Sequence, residues 1–540
     1  MQRKNKMISY GDLSAIRRSA AWTLVVTCAA VALVVAAMAA LYTALPAVAL
    51  DTGADQGALT WMVDGYTLVL ACLVLPGGAI GDRYGRRRVL TIGLAVFAAA
   101  SAIPLIVDNP TWLIASRAVA GAGAAFVMPA TLSILTASLP DARRAHAVSV
   151  WAGVAGSGGV IGMVGSGLLL IRWSWHSIFL GMTAVALTLL AFAFTVPESQ
   201  DSDRPRLEIR GMFWVVLSIG TAVFAVMEAP SRGWTDTRVL ILGGCGVLSI
   251  VAFILTELRA ENPLLDVRLF RRRGFASGAL SITIQFLVTF GVMFLLVQHF
   301  QLILGFGPLK SAVALAPMVV PLVAMSLVSP TIAARVGLRM TTAAGLLTIA
   351  IGLVALLRLD THSSYVDVLW PLLIMSAGLG ISAAPSTNAI MMDTPAEKHG
   401  VSAAVNDATR EIGAAIGIAV AGSILSANYS SRIANAMQYL PEPARGPVRS
   451  SLAGALEVAK RAGPSAAPLA DYAKTAFWAG VQHSVLALSL ISLVGALVLI
   501  PLAPGRTRTA ACNGPRYAKP LNPHSVRVQD FLDVSGPGDL

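Results

Sequence analysis

The chain has 540 residues, of which 56% are hydrophobic and only 13% charged, against about 25% charged in an ordinary soluble domain. Its mean hydropathy is +0.72, and the apolar surplus lies in long blocks, which excludes a soluble protein and predicts an all-α polytopic membrane protein. The net charge of +12 would indicate nucleic-acid binding in a soluble chain; here it is read as positive loops on the inner side of a membrane, with no nucleic-acid partner.

Residues 1–21 form a polar, cytoplasmic N-terminal segment. The first apolar block, Ala21 to Leu50, is too long for a signal-peptide core and lacks a small-residue cleavage site, so it is the first span. A helix needs about 20 apolar residues to cross the hydrocarbon layer. Polar punctuation then gives fourteen spans, at 22–50, 58–80, 89–107, 112–138, 146–171, 177–196, 211–229, 238–256, 275–300, 309–334, 341–358, 367–391, 401–427 and 475–503. An even number puts both termini on one side. With the N-terminus inside, tails and inner loops hold 27 of the 40 Lys and Arg residues and the short outer loops hold five. This predicts cytoplasmic termini in the cell membrane. Segment 428–474 is a long extracytoplasmic loop, and its middle, Val448 to Ala462, is predicted as an amphipathic helix. The cytoplasmic tail 504–540 is polar, rich in Pro and Gly, and expected to be disordered.

Charge inside a span marks function or a membrane edge. In "WMVDGYTLVLACLVLP" (61–76) Asp64 is the only formal charge, at a cost of about 2.5–3.5 kcal/mol if it lay at the bilayer centre. "GGAIGDRYGRRRV" (77–89) is a tight inner turn. Gly77, Gly78, Gly81 and Gly85 permit close approach or sharp turning, Asp82 suits a helix N-terminus, and Arg83, Arg86, Arg87 and Arg88 hold the loop at the inner surface. Arg117 is a lone cation in span 4. Glu228 ends span 7 as an interfacial residue. Asp407 and Glu411 share a face of span 13 at i and i+4, with Arg410 beside them. A carboxylate that alternates between desolvated and hydrated surroundings suits proton carriage.

The order G-x-x-x-D-R-x-G-R-R resembles the signature loop of the major facilitator superfamily. "RAVAGAGAAFVMPA" (117–130) resembles the fourth-span motif of drug:proton antiporters, with Arg117, Gly121, Gly123 and Pro129 in register. "ELRAENPLLDVRLFRRRGFA" (257–276) and "GVSAAVNDATREIGAAIGIAVAGSIL" (400–425) resemble an inner loop and the thirteenth span of its fourteen-helix branch. The resemblance runs from about residue 22 to 503. It implies two six-helix bundles, 22–196 and 258–503, with a linker and an inserted pair (spans 7 and 8) at 197–257, a midplane cavity and alternating access. "RVGLR" (335–339) looks like a decayed second copy of the signature loop, with Ala334 in the place of Asp82. The resemblance further implies proton or substrate roles for Asp64, Arg117, Asp407 and Glu411. Trp61, Tyr66 and Phe126 are candidate cavity walls for a cationic substrate, and Gly158, Gly162, Gly165 and Gly167 a helix-packing motif in span 5.

Four positions depart from that pattern: Ala37 replaces an acid, Ala120 a glutamine, Met163 a proline and Ser166 a glycine. Structural alternatives stay open at the charged sites. Asp64 could be interfacial beside Trp61, Arg117 a packing residue bonded to carbonyls, and Asp407, Arg410 and Glu411 an ion-pair cluster. The expected function is proton-coupled efflux of hydrophobic or cationic small molecules in a bacterial membrane, with no oligomer required. The alternatives are export of a native lipid or secondary metabolite, and a transport-inactive sensor or scaffold. The chain has no phosphate loop, no H-E-x-x-H and no Cys/His cluster, so neither an enzyme nor a metal or other cofactor is expected.

Overall fold

The computed structural model describes residues 10–505 except 53, 55, 140, 200–206, 262 and 395–398. The expectations for residues 1–9, for most of the linker after span 6 and for the tail beyond 505 lie outside the described residues. Among the described residues every regular element is helical, and fourteen helices are long and apolar enough to cross a membrane.

Two regions differ from the expected spans. Span 1 does not run unbroken to residue 50. It gives way at Leu41–Thr43 to a single tighter turn, and a short helix follows at Leu45–Thr52. Pro46 has no N–H to continue the ladder, which favours a break just ahead of it. Spans 13 and 14 run far past the bilayer. His399–Met437 has 39 residues, about 58 Å of helix against a hydrocarbon core of about 30 Å. Ala467–Leu502 has 36. Two helices join their projecting ends, Glu442–Ser450 and Leu452–Ala462. The helix predicted over 448–462 is thus split at Ser451, whose extended backbone lets its hydroxyl accept a bond from the Gly454 amide at 3.1 Å and cap the second helix. Val448, Leu452 and Ala455 are buried against Tyr429, Ile433 and Ala473, and the Tyr429 hydroxyl donates to the Val448 carbonyl at 3.0 Å. The apolar stripe therefore docks this connection onto the helices it joins.

The apolar core gathers in separate bodies. One draws on residues 26–196 and another on 284–499. A third joins span 2, the inserted pair and spans 9 and 13. Span 7 (Ile209–Arg232) packs on span 8 (Thr237–Arg259) and reaches spans 2 and 13.

The two signature-type turns are built alike. Gly85 and Gly337 both have positive φ, 109° and 88°, a region costly for other residues. Each turn grips the chain leaving the last span of its own half. Arg87 donates to the Val196 carbonyl at 3.3 Å and Arg339 to the Ala503 carbonyl at 3.1 Å. The Arg86 amide bonds Ser199 at 2.9 Å, and the Arg339 amide bonds Pro504 at 3.2 Å. The decayed second loop has kept the turn and its clasp while losing the acid.

Candidate functional site

The elements of the signature loop meet the second half directly. The first amides of a helix lack intrahelical acceptors, and span 13 finds them in Asp82. Its Oδ1 accepts from the Gly400 amide at 2.9 Å and its Oδ2 from Val401 at 3.1 Å. Arg86 donates to Asp82 Oδ1 through Nε at 2.9 Å and Nη2 at 2.8 Å. Asp82 and Arg86 are both buried. Spans 2 and 13 touch backbone to backbone here, since a Cβ on Gly78 would collide with the Gly400 carbonyl. Gly77 does the same against span 4, where a Cβ would sit 2.6 Å from the Ala125 carbonyl. Gly81 has only distant neighbours, at 3.9 Å and beyond. Arg83 lies over the Tyr84 ring. Arg87 and Arg88 face Glu198 at 3.7 and 3.9 Å. On the same end of the molecule, Thr136 bonds His399 at 3.3 Å.

Arg117 is 1% exposed. Its Nε donates to the Met62 carbonyl at 3.1 Å and its Nη2 to the Ala37 carbonyl at 2.9 Å. Its guanidinium lies 4.3 Å over the Tyr66 ring, while the Tyr66 hydroxyl donates to Val34 at 2.9 Å. The arginine thus ties spans 1, 2 and 4 together through backbone carbonyls. One of these belongs to Ala37, the position where an acid was expected.

Span 13 sets its charges differently from an ion-pair cluster. No ion pair joins Arg410 to Asp407 or Glu411 among the described residues. The Arg410 guanidinium is held between two aromatic faces instead, Trp151 of span 5 at 4.9 Å and Phe286 of span 9 at 5.0 Å. Its hydrogen-bonded path to Asp407 is a relay. Arg410 Nη2 donates to Thr387 at 3.4 Å, Thr387 to Asn406 at 2.9 Å, and Asn406 Nδ2 to Asp407 Oδ1 at 3.1 Å. Asp407 is fully buried and its Oδ2 has no partner. Glu411 is 8% exposed and lies within electrostatic reach of Tyr66 in the first half.

Asp64 is partly buried, and its carboxylate makes no hydrogen bond or ion pair among the described residues. It stands seven and fourteen residues from Ala71 and Gly78, on one stripe of span 2. Ala71 is buried with Ala404 and Ala408 of span 13, and Gly78 abuts Gly400. Asp64 therefore lies on the side of span 2 that faces span 13, within electrostatic reach of Tyr42. The three candidate wall aromatics are all engaged in helix packing. Trp61 stacks 5.3 Å from Phe224 of span 7, Tyr66 is buried under Arg117, and Phe126 fits against Gly77 and Gly93.

The span 5 glycines do unequal work. Gly158 and Gly162 meet span 1 at Val35 and Ala36, and Gly167 meets Leu309 of span 10, while Gly165 faces open space. Ser166, in place of a glycine, hydrogen-bonds Thr43. The helix, Asp141–Leu170, is continuous through Met163. Gly162→Val is expected to lose about 2 kcal/mol or more by forcing a side chain into the Ala36 backbone. Gly165→Ala should stay within about 0.5 kcal/mol of wild type or gain slightly. Thermal melting of the purified variants checks both, and equal destabilisation would contradict the packing assignment.

Comparison with known proteins places these features in context. A family model described as Major Facilitator Superfamily matches residues 27–418. The chain is 30% identical over 459 residues to the multidrug efflux pump LfrA of Mycolicibacterium smegmatis, covering 84% of this chain and 91% of that protein. It is 31% identical over 402 residues to the methyl viologen resistance protein SmvA of Salmonella typhimurium, covering 73% and 80%. The fold matches the crystallised proton:xylose symporter XylE with a TM-score of 0.58 at 14% identity, covering 91% of this chain and 97% of that one.

Proposed function

Because the chain belongs to the Major Facilitator Superfamily, we propose that it is a proton-coupled exporter of hydrophobic, cationic small molecules that works by alternating access. The observation that carries this reading is Asp407: buried on a span between the two halves, with one oxygen unpartnered and the nearest arginine occupied by Trp151 and Phe286. A carboxylate so placed takes up a proton readily and releases it when water enters. Asp64 and Glu411 supply further carboxylates for a cation, neither held in an ion pair among the described residues. Relatives named for multidrug efflux and methyl viologen resistance fit the substrate class, since methyl viologen is a flat dication. One proton moving down about 100 mV yields about 2.3 kcal/mol, near fifty-fold in concentration ratio. The termini would face the cytoplasm, by the excess of Lys and Arg in the loops on their side.

Everted vesicles given an ethidium-like dye on their outer, cytoplasmic face test this. Dye transport should stop when a protonophore collapses the gradient, and transport indifferent to the gradient would sink the coupling. Asp64→Asn is expected to reduce cationic dye transport about tenfold, with a smaller effect on neutral compounds. Equal losses for both would remove Asp64 from cation recognition. A second reading, export of a neutral lipid or secondary metabolite, is favoured by Ala37. There the position of an expected acid is met by Arg117 through a carbonyl. Flux of neutral lipid without dye transport would select it.

A further inference from the structure

The inserted helix pair carries two acids outside the central cavity. Glu208 stands at the N-cap of span 7, yet its side chain caps nothing there. Glu257 lies near the end of span 8 and is 3% exposed. Its Oε2 accepts the Leu265 amide at 3.0 Å. Its Oε1 and Glu208 Oε2 are both buried without a partner. They converge over Gly211, where a Cβ would press on Glu257 Oε1 and lie 3.4 Å from Glu208 Oε2. The two carboxyl groups are within hydrogen-bonding reach of each other.

Two ionised carboxylates oppose each other in such a place, half-buried Glu208 by repulsion and buried Glu257 by desolvation as well. Neighbouring charges do not relieve it. Arg210 on span 7, Arg259 at the end of span 8 and Arg268 in the following loop are exposed, and none pairs with either acid among the described residues. Asp266 is occupied with the Arg268 amide. One proton resolves the conflict, turning the contact into an O–H···O⁻ bond that uses both orphan oxygens.

We propose that Glu208 and Glu257 share a single proton that closes the base of the inserted helix pair, a proton-binding site separate from the central cavity. Its place gives it leverage. Glu208 sits where the chain arrives from the first half. Glu257 holds Leu265 where the chain departs for the second. Loss of the proton would loosen both connections at once.

The test compares thermal unfolding of the purified full chain from about pH 5 to about pH 9 in wild type, Glu257→Gln and Glu208→Gln. A proton held in the fold but lost from the unfolded chain stabilises less as pH rises. Wild type should therefore lose on the order of 2 °C more than either variant over that range, because a Gln amide replaces the shared proton's bond at every pH. Infrared spectra should show a protonated-carboxyl band in wild type that weakens in both variants. Coinciding pH slopes, with that band unchanged, would overturn the proposal. So would calcium or magnesium raising the wild-type melting temperature at high pH but not that of Glu257→Gln, the mark of a divalent-cation site. If Glu257→Gln does not fold, Glu208→Gln makes the same comparison.

Discussion

In energised vesicles Asp407→Asn is expected to abolish the proposed proton-driven dye transport, a fall of about 100-fold or more, while the protein remains folded. The expectation follows from the arrangement around the residue. Asn406 already bonds one oxygen, and the other has no partner to lose. An amide of the same shape therefore keeps the packing and removes only the titratable proton. Dye bound on one side should still exchange with dye on the other, since that exchange needs no proton. Full gradient-driven efflux by Asp407→Asn would remove this residue from the coupling machinery.

The second large effect belongs to Asp82→Ala. Its carboxylate serves two amides of span 13 and the Arg86 guanidinium together, so its removal should cost roughly 3 kcal/mol. Part of that loss, the two amides of span 13, falls on contacts between the halves. The variant should melt earlier, and it should open the end that bears the termini. A cysteine introduced at Ala404, buried in the closed contact, should react about tenfold faster with a thiol reagent, the kinetic equivalent of about 1.4 kcal/mol. Gly78→Val should produce the same labelling by steric means, through the Gly400 backbone. An unchanged melting temperature and labelling rate in Asp82→Ala would mean that the latch does not hold the halves together.

The fold was legible because a bilayer leaves a spanning chain little choice: long unbroken apolar helices, with cations gathered at their ends. Candidate site residues could be named from the sequence, but their partners could not. Asp82 reads as a helix-cap acid, but the Gly400 amide it caps lies 318 residues further along, and no local pattern reaches that far. Spacing alone allows Asp407 and Arg410 to pair. Trp151 and Phe286, brought in by spans 5 and 9, take the guanidinium instead. Ser166 reads as a lost packing glycine until Thr43 arrives beside it. Trp61, Tyr66 and Phe126 carry the right chemistry for a cavity wall, and the sequence does not reveal the helix contacts each of them also makes. Glu208 and Glu257 lie 49 residues apart on separate helices, so neither signals the other in sequence.

The two signature-type turns share a backbone and differ in one side chain, and that difference reaches beyond the turns. At the first corner spans 2 and 13 are joined through a carboxylate. At the matching corner Ala334 offers no such group, and the side-chain bond between spans 10 and 5 lies about two turns further along, where Ser326 donates to the Ser149 carbonyl at 2.8 Å. Charge-assisted bonds are roughly twice as strong as neutral ones. Two corners of unequal strength do not part together under a common load. In the alternating access proposed above, the weaker one should yield first and the stronger serve as the pivot, so that the halves swing apart like a door on one hinge rather than sliding open like a drawer.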